Sequence, residues 1–161
     1  MEVNGYIIEP GANLAGARLN NLSLIGANLA GAVLARANLG YTSLAGANLA
    51  NANLIGAHLN RANMTDANLI RANLTGAGLN SANLTGANLS GANLESAYLA
   101  GVNLTRANLA GTNLAGANLV FANLTGANLT GANLTGANIY EANMSNANLF
   151  HATMPDGLIR G

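Results

Sequence analysis

Between Leu14 and Met154 an apolar residue recurs at every fifth position without one insertion, through 29 consecutive pentads. With each pentad written i−2 to i+2 and i at Leu14, Leu19, Leu24 and onward, position i is Leu in 25 pentads and Met64, Ile139, Met144 or Met154 in the rest. Position i−2 is Ala in 25, departing at Leu22, Thr42, Val102 and Thr112, while the position between them, i−1, is Asn in 21. A straight helix at about 100° per residue would carry the Leu series around its surface, and a strand would put it on alternate faces. A short extended segment reconciles the pattern, because residues two apart point the same way: i−2 and i inward, i−1 outward. Positions i+1 and i+2 must then turn the chain, and Gly at i+2 in 14 of the 29 pentads suits a turn that needs φ > 0. The pattern predicts a coil with a Leu and Ala inner wall.

A single coil cannot bury its own core, so such coils must stack and pair their backbones at about 4.8 Å. Four pentads per turn is favoured by the spread of the i−1 exceptions. The series Asn28, Asn48, Asn68, Asn88, Asn108, Asn128, Asn148 at spacing 20 has none, whereas Arg18, His58, Gly78 and Tyr98 fall together in another series. The unbroken Asn series is expected to form hydrogen-bonded ladders along the stack.

The A-N-L-x-x unit, as in Ala82-Asn83-Leu84-Thr85-Gly86 and Ala127-Asn128-Leu129-Thr130-Gly131, resembles the pentapeptide repeat family, and its cyanobacterial members most closely. The resemblance covers about nine tenths of the chain. It implies an all-β fold, a right-handed quadrilateral β-helix of about seven coils, roughly 34 Å long at the strand spacing. Three segments are expected. Residues 1–11, with Val3, Tyr6, Ile7, Ile8 and Pro10, read as an N-terminal edge strand capping the Leu14, Leu19, Leu24, Leu29 layer. Residues 12–154 form the β-helix. Residues 155–161 read as a short C-terminal cap, with a turn at Pro155-Asp156-Gly157 and Leu158-Ile159 folding back. Incomplete cover there leaves either a monomer or an end-to-end homodimer through the C-terminal coil, an arrangement the family uses.

Composition narrows the function classes. Six Arg balance six acidic residues with no Lys, so neither nucleic acid nor an anionic membrane is expected to bind by bulk electrostatics. No apolar run approaches the roughly 20 residues that span a bilayer, and Met1 to Gly5 lacks a basic signal-peptide start, so a cytoplasmic location is expected. Cysteine is absent. His58 and His151 lie more than four coils apart, roughly 20 Å, and cannot share a metal or a proton. No Ser or Thr has a His and a carboxylate placed to activate it, and Asp66, Glu95 and Glu141 fall in separate series. No enzyme activity, cofactor or metal is expected.

What remains is the outer surface. The series through Arg18, His58 and Tyr98 and the corner beside it, with Tyr41, Arg61, Val120, Phe121, Tyr140 and Glu141, hold four of the six aromatic residues. Aromatic and Arg side chains anchor interfaces. Arg18, Tyr41, His58, Arg61, Tyr98, Phe121, Tyr140 and Glu141 are therefore the candidate face for an unknown protein partner. Tyr41 and Arg61 are expected to stack, and Phe121 and Tyr140 to form an apolar patch. Two alternatives are weaker. Family members that mimic DNA and bind gyrase are strongly acidic, with Phe at i and Asp at i−1, unlike this chain. An ice-binding role would rest on the one column Thr65, Thr85, Thr105, Thr125, where β-solenoids generally use paired columns.

Overall fold

The computed structural model describes all 161 residues. From Asn13 to Asn133 each i−1 residue forms a parallel bridge with the residue 20 positions later, as in Asn28 with Asn48 and Asn113 with Asn133. Twenty residues per turn means four pentads per coil, and the 29 pentads make a right-handed quadrilateral β-helix of about seven turns. The faces are numbered here by their inward residues: first Leu14, Leu34 and so on; second Leu19, Leu39; third Leu24, Leu44; fourth Leu29, Leu49. From Leu14 to Leu134 every residue at i is buried, and most of the Ala residues at i−2 are buried with them. No helix is long and apolar enough to cross a membrane.

One pentad shows how the sequence satisfies its own backbone. Asn48 N–H donates back to Ala27 O at 2.9 Å, while Leu49 and Asn51 donate forward to Asn68 O at 2.7 Å and Ile70 O at 2.9 Å. Ala52 N–H closes the turn onto Leu49 O at 3.0 Å. The fifth donor, Ala50 N–H, has no backbone partner and is taken by Asn48 Oδ1 at 3.2 Å. Asn at i−1 is thus the side chain that completes the accounting of backbone groups. Its Nδ2 then joins the coils: Asn48 donates to Asn28 at 3.2 Å and Asn68 to Asn48 at 3.1 Å, and a second run links Asn88, Asn108 and Asn128.

The turn position i+2 has positive φ in every pentad from Gly16 to His151. Fourteen of these residues are not glycine and hold φ between 53° and 60°. None of them is β-branched. Ile25, Ile55, Ile70, Val120 and the turn threonines all stand one residue earlier, at i+1, because a branched Cβ is most strained in the left-handed region.

The first residues depart from the single edge strand expected of them. β1 (Glu2–Val3) and β2 (Tyr6–Ile7) pair antiparallel as a hairpin. Its turn is Asn4-Gly5, with φ of 51° and 77°, the two positive values of a type I′ turn. The N-G dipeptide was the available signal. Ile8 is buried, Val3 and Tyr6 pack on the core, and Tyr6 OH accepts the Arg18 N–H at 3.2 Å.

The far end differs. Pro155, Asp156 and Gly157 reverse the chain, and Ile159 bridges antiparallel to Thr153. This tail lies over the first face alone. Ile139, Met144 and Leu149, the last inward residues of the other three faces, are only partly buried, unlike their counterparts below.

Candidate functional site

The corner that follows the second face carries Asn21, Tyr41, Arg61, Ser81, Gly101, Phe121 and Glu141 at its left-handed position. It has one glycine, whereas the other three corners hold the remaining thirteen of position i+2. A non-glycine residue in this conformation costs about 1–2 kcal/mol, so strain is concentrated along one edge of the rod.

Two pairs of the candidate residues meet on that edge. Arg61 Nη1 donates to Tyr41 OH at 2.7 Å, and its guanidinium lies 5.5 Å from the ring centroid. The contact spans one coil, as the repeat arithmetic requires. Phe121 and Tyr140 meet edge to face, with centroids 6.1 Å apart and planes at 76°. All of these aromatic rings are exposed, Tyr41 at 58%, Phe121 at 59% and Tyr140 at 61%. Glu141 stands one coil beyond Phe121 on the same edge. Arg18, His58 and Tyr98 share the adjoining column but do not touch, since Asn38 and Gly78 lie between them. Phe150 and His151 form their own contact, 4.0 Å between centroids, on the opposite corner.

Tyr98 and Gly78 replace the Asn that would accept the N–H two residues later. Those donors, Asn80 and Ala100, are instead accepted at 3.0 Å by Asn60 Oδ1 and Asn80 Oδ1, each from the coil before. Tyr98 can therefore point a ring outward with the turn N–H still satisfied. The hydroxyls of Thr65, Thr85, Thr105 and Thr125 donate to the Asn Oδ1 of their own pentads, at 2.6–2.7 Å, and are engaged along the surface.

The family model for pentapeptide repeats matches residues 12–49, 42–80, 82–119 and 117–154. The chain belongs to the pentapeptide repeat family. Among solved structures it is similar to HetL, a pentapeptide repeat protein involved in heterocyst differentiation regulation from the cyanobacterium Nostoc sp. strain PCC 7120. The two are 30% identical over 94% of this chain and 92% of HetL, with a TM-score of 0.38. Rfr23 from the cyanobacterium Cyanothece 51142 is 45% identical over 56% of this chain and 58% of its own, with a TM-score of 0.29. QnrB1, a plasmid-mediated fluoroquinolone resistance protein, is 20% identical over 82% of this chain and 67% of its own, with a TM-score of 0.61. The QnrB1 likeness shows the fold alone. No curated protein matches the chain.

Proposed function

We propose that this pentapeptide repeat protein is a non-enzymatic, cytoplasmic scaffold or regulator that binds a protein partner along the second face and its corner, from Arg18 to Glu141. The observation that carries this reading is the exchange of glycine for Tyr, Arg, Phe and Glu along one left-handed edge. Each exchange strains the backbone, and three other edges of the same fold are mostly glycine. Rigid coils lose little conformational entropy on binding, so exposed rings held on them make efficient anchors. Of the two oligomeric states anticipated, we favour the monomer, because the tail stands one strand layer proud of the last coil and keeps a second coil from seating flush. A gyrase-binding role is not supported by charge, which is zero here.

Affinity capture from lysate of the source organism tests the reading, comparing wild type with a His58→Ala, Arg61→Ala, Tyr98→Ala variant. A protein retained by wild type and lost by the variant is expected. Equal recovery would move the site off this face.

A further inference from the structure

The last coil ends in unpaired backbone, and the chain itself demonstrates what pairs with it. On the first face the tail makes three hydrogen bonds: Met154 N–H to Leu158 O at 2.8 Å, Arg160 N–H to Ala152 O at 2.9 Å, and His151 N–H to Arg160 O at 2.8 Å. The repeat places an equivalent trio on the fourth face: Leu149 N–H, Ala147 O and Asn146 N–H. None of the three has a partner within the chain. They border a shallow, open groove lined by Asn146 to Phe150 and, from the tail, by Arg160 and Gly161. Its floor includes Ala147 and Leu149, apolar side chains left partly uncovered.

We infer that this groove receives an extended peptide from a partner protein by antiparallel strand addition, in the register of the chain's own tail. Main-chain pairing at a sheet edge supplies affinity, and alternate side chains supply specificity. The register follows from the tail. One peptide residue sits opposite Asn148 and points outward. The carbonyl before it accepts the Leu149 N–H, the N–H after it donates to Ala147 O, and the following carbonyl accepts the Asn146 N–H. The residues on either side of the central one then face the apolar floor. Because the peptide runs antiparallel, its N-terminal end lies by Arg160, the charged side chain among the lining residues, and an acidic residue fits there. A strand suits this layer better than a second coil, since the tail already occupies the same layer on the first face. The second face is a poorer site, because its Gly136 N–H is already taken by Pro155 O at 3.0 Å. The third face lacks the wall formed by the tail. This surface lies on the corner opposite the Tyr41–Glu141 edge and is independent of it.

The test uses the full 161-residue chain and the peptide Ac-DVTLT-amide, with amide exchange followed by NMR. Binding is expected to protect the Leu149 and Asn146 amides and leave Met144 and Ile139 as they were. Methylating the peptide nitrogen of its leucine removes the donor to Ala147 O and should weaken binding about fivefold, the worth of one hydrogen bond of average strength, with the protein unaltered. Arg160→Glu should weaken the acidic peptide, and replacing its aspartate with lysine should restore affinity to that variant. Failure to protect Leu149 and Asn146 at millimolar peptide, or equal binding of the methylated peptide, would overturn the inference. So would a free chain that light scattering shows as a dimer with those two amides already protected, because a second copy would then be the occupant.

Discussion

Thr42 is one of two buried polar side chains in the rod, and it sits one coil after the only Leu at position i−2. At Leu22 the turn bond to Leu19 O, made by its counterparts throughout the stack, is missing. Thr42 Oγ1 donates to Leu19 O instead, at 2.6 Å. The two departures from Ala are one device. Thr42→Val keeps the shape and leaves a buried carbonyl unpartnered, so it should cost about 1–3 kcal/mol in urea unfolding. Adding Leu22→Ala should recover part of that loss by letting the turn N–H return; an additive pair would refute the coupling. Strain on the candidate edge is testable at the same scale. Phe121→Gly relieves a left-handed φ while adding chain entropy to the unfolded state, so stability should stay within about 1 kcal/mol of wild type. Capture of the partner should nevertheless fall. Such a split between stability and binding is the mark of residues kept for function.

At the scale of the coil, the period of five is sufficient to assign the inward residues and the turn position, whereas the four-pentad turn is only favoured by the spread of the i−1 exceptions and implied by the family resemblance, and the bridges at spacing 20 establish it. The period is not sufficient to foresee Asn60 and Asn80 satisfying donors in the next coil. Column arithmetic says which residues are stacked, and the direction a polar side chain takes depends on what its neighbour lacks. The Tyr41–Arg61 and Phe121–Tyr140 contacts were legible for the same reason as the core, being fixed by spacing alone. The hairpin at residues 2–7 is legible only from Asn4-Gly5, because its apolar residues alone are equally compatible with a single edge strand. We propose that this hairpin caps the first coil, where Leu14, Leu19, Leu24 and Leu29 are buried although no coil lies beneath them. The asymmetry of the two ends gives a graded expectation. Leu89→Ala, in the middle of the stack, should cost about 3–5 kcal/mol and Leu149→Ala, on the open last coil, well under half of that. Equal costs in denaturant titrations would mean that the last coil is covered in solution. Leu84→Lys should abolish folding, since it buries an unpaired charge in the column; an unchanged melting temperature would contradict the inward assignment of position i.

The whole molecule is a rod with a neutral surface, an aromatic and Arg-bearing edge on one side, and an open strand edge at one end. Neutrality removes long-range steering, so a partner must be recognised by local contacts. That places the weight of the functional account on the exposed rings. Hydroxyl-radical footprinting of the rod, alone and with its captured partner, reads them directly. Tyr41, Tyr98, Phe121 and Tyr140 should lose reactivity in the complex, while Phe150 and His151, on the opposite corner, should keep theirs. Unchanged oxidation of the four candidate rings with the partner bound would contradict the account.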